Sequence, residues 1–343
     1  MRMTPAGRLR QVNYANNFVE QFAYDPAGNL LNQEARYDQG NRLLRFNGYA
    51  YEHDARGNLI RKTSAAGTVE YRYNIFNQLI AAQTPQYGLV EFQYDALGRR
   101  IVKKSQHREV RYYWNQLELF GEVEADEPIE YVFHNFAPVA TLRKGQIYYY
   151  HTDHLGTPME MTDERGRLVW KGDYVTLGRC RGQGEVVNRL RFPGQWEDEE
   201  TGLHFNVFRY YDAEVGRYVT ADPIGYSGGD WNLYRYVRNN FINHIDIVGL
   251  KYDIHIHIHN DGIKFDGNKF VDQIIQLFKQ SPVESKSPTP TESKSPTPRC
   301  ADPQKKQPEL YYDLKTGTCS DRLLPATFYG TQILCGGKIV EAR

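Results

Sequence analysis

The sequence predicts a mainly β protein: a curled antiparallel sheet of Tyr-Asp hairpins, followed by a small α+β or partly disordered C-terminal tail. Three observations carry this expectation. A degenerate repeat occupies the first hundred residues, period-two alternation fills the gaps between its copies, and the composition changes at Leu250–Lys251. Up to Leu250 the chain holds 22 of its 26 Tyr and uses 24 Arg against 5 Lys, whereas the remaining 93 residues use 10 Lys against 3 Arg.

The repeat copies are Tyr24-Asp-Pro-Ala-Gly-Asn-Leu30, Tyr37-Asp-Gln-Gly-Asn-Arg-Leu43, Tyr51-Glu-His-Asp-Ala-Arg-Gly-Asn-Leu59, Tyr73-Asn-Ile-Phe-Asn-Gln-Leu79 and Tyr94-Asp-Ala-Leu-Gly-Arg-Arg100. Each reads as strand, turn, strand. The aromatic suits a pleated, half-buried surface, the Asp or Asn bonds nearby backbone, and the Gly or second Asn accepts positive φ in the turn. Between copies, Val69-Glu-Tyr-Arg-Tyr73 and Leu89-Val-Glu-Phe-Gln-Tyr94 alternate with the period of a strand. A string of hairpins follows, with exposed edges that need covering.

A length of 343 residues and 40% hydrophobic content suffice for a core and about two domains. Basic and acidic residues balance at 42 each, which leaves no generic signal for nucleic acid or an anionic membrane. No apolar run approaches the roughly 20 residues that span a bilayer, and Met1-Arg-Met-Thr-Pro5 lacks the features of a secretory signal. The expected location is the cytoplasm of the producing cell, with any export by a route that reads no signal peptide. Cys180 stands alone, while Cys300, Cys319 and Cys335 lie in the tail. That odd count fits one disulfide with a spare thiol, or three thiols in a reducing compartment.

After Leu250, Tyr252-Asp-Ile-His-Ile-His-Ile-His259 alternates as a strand and Asn260-Asp-Gly262 reads as a turn. Residues 270–279 have helical apolar spacing, and residues 281–299 repeat Glu-Ser-Lys-Ser-Pro-Thr-Pro, a linker composition. Tyr311-Tyr-Asp-Leu-Lys-Thr-Gly317 reads as a further hairpin. His255, His257 and His259 share one face of the expected strand, so with Asp261 or Asp266 they form a candidate site for a divalent metal that activates water. Against this, side chains two apart on a strand sit about 7 Å apart, and a solvated face uses the same residues. His151-Thr-Asp-His154 admits the same pair of readings, metal ligands or a hairpin whose polar side chains bond backbone.

The Tyr-Asp copies resemble the Rhs/YD-repeat family, whose large members wind such hairpins into a hollow shell around a toxic cargo. Tyr148-Tyr-Tyr-His-Thr-Asp-His-Leu-Gly-Thr-Pro158, Met161-Thr-Asp-Glu-Arg-Gly-Arg-Leu-Val-Trp170, Arg191-Phe-Pro-Gly-Gln-Trp196, Arg209-Tyr-Tyr-Asp212, Asp222-Pro-Ile-Gly225 and Asn232-Leu-Tyr-Arg-Tyr236 resemble, in order, the Rhs-associated core. The expected divisions are a hairpin sheet at 1–145, the core at 146–250, a small βα segment at 251–280, a Pro/Ser/Thr linker at 281–305 and a small C-terminal segment at 306–343.

The resemblance implies self-cleavage after Leu250, between Leu250 and Lys251, by an aspartyl-protease-like dyad of Asp222 and Asp246 supported by Arg217, with no cofactor for the core. Two carboxyls forced together share a proton, so one acts as base while the other acts as acid. The second motif, Asp246-Ile-Val-Gly-Leu250, departs from the family pattern by carrying Ile247 where the family has Pro, which would preset the turn. Both aspartates are also ordinary turn formers.

By the same resemblance, residues 1–250 are a carrier and 251–343 a variable effector of a polymorphic toxin used between bacteria. The implied partners are an immunity protein, a secretion apparatus, or a second Rhs chain that completes a shell too long for five repeats. The alternative is an orphan cassette with no active effector, acting as a structural or interaction protein.

Overall fold

The computed structural model describes residues 1–250 throughout and, beyond them, the strands His257–His259, Gly262–Lys264, Tyr311–Asp313, Thr318–Ser320, Ala326–Tyr329, Gln332–Cys335 and Lys338–Glu341. Two units divide the chain, Met1–Phe278 and Lys279–Arg343. In the second, Tyr311–Asp313 pairs antiparallel with Thr318–Ser320, as the Tyr-Tyr-Asp signal predicts, and the last three strands form an antiparallel meander. In the first, His257–His259 pairs antiparallel with Gly262–Lys264, so the expected His-rich strand is present over His257–His259; the rest of it and the turn residues Asn260 and Asp261 lie outside the described residues. The helix expected at 270–279 and the linker at 281–299 lie outside the described residues.

The first unit is built on an antiparallel meander of sixteen strands, from Arg36–Tyr37 to Cys180–Gly184, each paired with its neighbours in sequence. Its end strands do not pair with one another, so the sheet is open. The expected boundary at residue 145 is corrected: Gln146–Thr152, Pro158–Asp163, Leu168–Tyr174 and Cys180–Gly184 extend the same sheet. The reason is local, because the segments after 145 carry the same turn as the repeats.

That turn is a closed five-residue loop. At the first copy Asp25 N–H donates to the Asn29 carbonyl (3.0 Å), Gly28 N–H to the Asp25 carbonyl (2.9 Å) and Asn29 N–H to Asp25 Oδ1 (2.8 Å). The same three bonds recur in the turns opened by Asp38, Asp54, Asn74, Asp95, Asp153 and Asp163. The fourth residue takes positive φ each time, as Gly at 28, 57, 98, 156 and 166 and as Asn at 41 and 77. Asp or Asn at the first position supplies the side-chain acceptor and Gly or Asn at the fourth the positive φ, while Thr4 and Val175 open loops with the same two backbone bonds. The repeat Tyr anchors the strand before it, with Tyr24, Tyr37 and Tyr94 each donating to a backbone carbonyl at 2.7 Å.

Residues 188–250 form the lid of this sheet. Trp196–Asp198, Leu203–Asn206, Arg209–Asp212 and Arg217–Tyr218 make a small antiparallel sheet, followed by 3-10 turns at Gly225–Gly228 and Val237–Asn239. This core sits on the loops. Tyr234 lies against Gly57 and donates to its carbonyl (2.9 Å), and Phe208 lies 3.2 Å from where a Cβ at Gly98 would stand. Phe192 covers Gly178, Pro193 covers Gly156 and Arg235 covers Gly28. A single apolar cluster consequently runs from Ala35 and Leu43 through Trp114 and Trp170 to Leu203, Ile247 and Leu250.

Buried charge ties the two parts together. Arg100, fully buried, donates to both oxygens of Asp198 (2.5 and 3.1 Å), and Lys103 donates to Asp198 Oδ1 (3.0 Å) and Glu200 Oε2 (2.8 Å). The Arg100 guanidinium also lies over the Phe205 ring at 4.1 Å. Burial alone would push the Asp198 carboxyl up, but Arg100 and Lys103 hold it below its ordinary range. Removing any one partner would strand a buried charge, so the set favours the register in which the core docks.

Two outcomes follow for stability. Asp198→Asn strands Arg100 and Lys103 without full compensation, so chemical denaturation should show a loss of about 3–5 kcal/mol, against at most about 1 kcal/mol for Glu52→Gln in the exposed Arg61–Glu52 pair. Gly7 and Gly57 both take positive φ (72° and 87°), but only Gly57 meets the core. Ala at Gly7 should cost about 1–2 kcal/mol, and Ala at Gly57 more, by about 1 kcal/mol or greater, because it also lifts Tyr234.

Candidate functional site

Asp222 opens the turn before the 3-10 segment Gly225–Gly228, and Asp246 opens the turn that ends at Leu250. Both use the repeat's logic: Asp222 Oδ1 accepts Ile224 N–H (3.0 Å), and Asp246 Oδ1 accepts the N–H groups of Gly249 (2.9 Å) and Leu250 (3.0 Å). Turn-forming chemistry and the proximity of two carboxylates coexist here. Nη2 of one arginine, Arg209, lies 3.2 Å from Oδ2 of Asp222 and 3.2 Å from Oδ2 of Asp246.

The residue expected to support the pair was Arg217, and the structure corrects this. Arg217 points to the repeat loops, donating to the Asn41 carbonyl and to Asn29 Oδ1 (3.4 Å), with its guanidinium over the rings of Tyr37 and Tyr234. Burial pushes its pKa down, with the neighbouring tyrosines opposing. The physical reason is the strand itself: successive side chains leave on opposite faces, so in Arg217–Tyr218 it is Tyr218 that faces the aspartates and donates to Asp246 Oδ2 (2.8 Å).

Arg209 was present in the Arg209-Tyr-Tyr-Asp212 motif, but spacing alone did not distinguish it from Arg217. Its Nε donates to the Gly249 carbonyl, Nη1 to the Leu233 carbonyl (3.2 Å), and its guanidinium lies 3.6 Å from the Tyr218 ring centre. Asn206, also unforeseen, donates to Tyr218 Oη and to the Asp246 carbonyl, both at 2.9 Å.

The segment 245–250 is threaded through the core. Ile245, Ile247, Val248 and Leu250 are buried, Phe208 N–H donates to the Val248 carbonyl (3.1 Å), and a Cβ on Gly194 or Gly249 would collide with backbone, that of Ile247 for Gly194 and the Asn206 carbonyl for Gly249. Ile247 thus occupies a turn fixed by tertiary hydrogen bonds and packing, without a proline. At its end Leu250 lines the same small cavity as Asp222, and both lie against Gly228. A Cβ on Gly228 would stand 2.7 Å from Asp222 Oδ2 and 3.0 Å from that oxygen. A cavity lined by Arg209, Asp222, Gly228, Asp246 and Leu250, among others, offers about 10 Å³ to the centre of a water molecule, enough for about one.

Burial pushes the Asp222 carboxyl up to about 6, with Arg209 opposing and Asp246 adding to the rise. Asp246 accepts four hydrogen bonds and serves as a carboxylate acceptor.

The remaining expected sites fall elsewhere. Asp153 Oδ1 accepts the N–H groups of Leu155 and Thr157, His154 bonds the Ile242 carbonyl and His151 bonds Thr162, so the hairpin reading holds there. Among the described residues no group of three or more His, Cys, Asp or Glu is placed to hold a metal ion. His257 and His259 lie in the strand His257–His259; His255 and Lys251 lie outside the described residues. Among the described residues no helix is long and apolar enough to cross a membrane.

The raised Asp222 carboxyl has a stability consequence of definite sign. Below about pH 4 it is neutral folded and largely neutral unfolded. Between there and about 6 the folded state holds a proton that the unfolded state has lost, so this group's contribution falls as pH rises and stays low above 6. Melts of the intact chain should therefore show Asp222→Asn gaining Tm over wild type at pH 7–8, with the difference shrinking toward pH 4.

The Teneurin YD-shell family model matches residues 4–242. The double-stranded DNA deaminase toxin A of Burkholderia cenocepacia is 36% identical over 280 residues, covering 68% of this chain and 20% of that protein. Toxin protein Tse5 of Pseudomonas aeruginosa is 33% identical over 248 residues (58% of this chain, 18% of that protein), and the probable deoxyribonuclease RhsA of Dickeya dadantii is 32% identical over 222 residues (59% and 15%). The chain thus spans about a fifth or less of the length of these relatives. With its looped hairpin sheet and capping core, it belongs to the Rhs/YD-shell family.

Proposed function

We propose that residues 1–250 are the carrier end of a polymorphic toxin used between bacteria and that the chain cuts itself after Leu250 to free residues 251–343 as the effector. The observation that carries this reading is the Leu250 carbonyl, held beside Asp222 by a turn that Asp246 itself closes. The relatives support the toxin role: they are named as toxins or nucleases, and their names differ in activity while they share this region. A shared carrier with a changeable effector accounts for both facts.

In the cleavage, Asp222 carries the proton that its buried carboxyl retains near pH 6 and gives it to the Leu250 carbonyl oxygen. Asp246 accepts a proton from the water whose oxygen bonds to the Leu250 carbonyl carbon. The C–N bond to Lys251 then breaks as its nitrogen takes the proton held by Asp246, and a hydroxyl of the tetrahedral carbon returns a proton to Asp222, so atoms balance with water as the one co-reactant. Arg209 fixes both carboxylates and, through Nε, the Gly249 carbonyl one residue before the bond. Further strands, from the same or a second chain, would close the open sheet, and an immunity protein would guard the producer against the effector.

Incubated wild-type chain is expected to give fragments of 250 and 93 residues, with a rate that falls as pH rises through about 6. Asp246→Asn should remain one band on a gel and Arg209→Lys should slow cleavage by about tenfold or more, whereas Arg217→Lys should spare the reaction relative to Arg209→Lys. Expression of residues 251–343 alone should arrest growth. A single band for wild type after prolonged incubation would end the cleavage reading, and harmless expression of that segment in both cytoplasm and periplasm would favour an orphan cassette.

A further inference from the structure

Three glycines punctuate the segment beside the aspartates, and they are not equivalent. Gly225 and Gly229 take positive φ (57° and 80°), a conformation that explains glycine without any neighbour. Gly228 does not: it lies inside the 3-10 turn Gly225–Gly228, outside the left-handed region, and it is buried. Any small residue could adopt its backbone. What a side chain would meet is tight clearance, since a Cβ would stand 2.7 Å from Asp222 Oδ2, closer than real Cβ contacts allow, and 3.0 Å from the Leu250 carbonyl oxygen, tighter than most.

We propose that Gly228 is the residue that admits water to the cleavage site: its missing side chain leaves the one-molecule gap between the Asp222 carboxylate and the Leu250 carbonyl. The inference rests on the self-cleavage reading above. The gap has the right chemistry for water. The cavity offers about 10 Å³ to a water centre, one wall is the carboxylate, another is the Leu250 carbonyl oxygen, and Arg209 and Asp246 complete it. A water needs two to four polar partners and about this volume, and hydrolysis consumes one water per bond, its oxygen going to the Leu250 carbon and its protons to the new carboxyl and amine. A methyl group on Gly228 would crowd this cavity against Asp222 and the Leu250 carbonyl. Gly228 therefore acts through the water and touches no reacting bond itself.

The test compares full-length wild type, Gly228→Ala and the exposed neighbour Ser227→Ala for cleavage rate, Tm and the titration midpoint of Asp222. Ser227→Ala should match wild type. Gly228→Ala should keep its Tm within a few degrees, slow cleavage by roughly tenfold or more, and move the Asp222 midpoint upward from about 6 as the methyl displaces solvent. Cleavage at the wild-type rate by folded Gly228→Ala overturns the proposal and leaves the cleavage reading standing; so does a Gly228→Ala chain that does not fold, because the gap would then serve packing. If wild type itself never cleaves, the cleavage reading falls, and an Asp222 midpoint unmoved by Gly228→Ala overturns the water gap separately.

Discussion

The constraint on which this structure depends is the contact between the core and the glycines of the hairpin loops. A five-residue loop closed by an Asp carboxylate needs positive φ at its fourth residue, and where that residue is Gly it exposes bare backbone. The core uses those bare points as seats: Tyr234, Phe208, Pro193 and Arg235 each lie against one, and Phe192 lies against Gly178 of the similar loop opened by Val175. One residue type thus serves the local turn and the long-range docking at once. This is why a sheet with open ends still has a continuous apolar cluster beneath it.

Docking in turn decides which polar groups are buried. Apolar seats alone would let the core slide along a repetitive rim. The Arg100, Lys103, Asp198 and Glu200 set allows one register, because any other would leave an ion uncompensated. Arg217 performs a similar task at the first two loops with carbonyl oxygens and tyrosine rings in place of a carboxylate. The same burial that makes these groups specific also raises the Asp222 carboxyl.

Much of this was legible in the residues. The Tyr-Asp copies announced hairpins because their turn chemistry is local, and the Leu250 seam announced itself through composition. The extension of the sheet past residue 145 was also written in Asp153-His-Leu-Gly156 and Asp163-Glu-Arg-Gly166, which are loops of the same kind. They were obscured by the longer motif that contains them. Arg209 and Gly228 were not legible. Arg209 and Arg217 are both arginines at the start of short strands, and only the pairing of those strands tells which faces the aspartates.

By itself, the sequence determined the β-hairpin repeat, the open sheet, the family and the position of Asp222, Asp246 and Leu250 along the chain, because each rests on interactions within a few residues. Only the tertiary structure decided that Arg209 bridges the two carboxylates, that Tyr218 and Asn206 hold Asp246, and that Gly228 lies against Asp222 and the Leu250 carbonyl. These groups come from segments up to 44 residues apart, Asn206 and Leu250 at the extremes. What brings them together is the face each side chain takes when the core settles on its loops, which no spacing along the chain records.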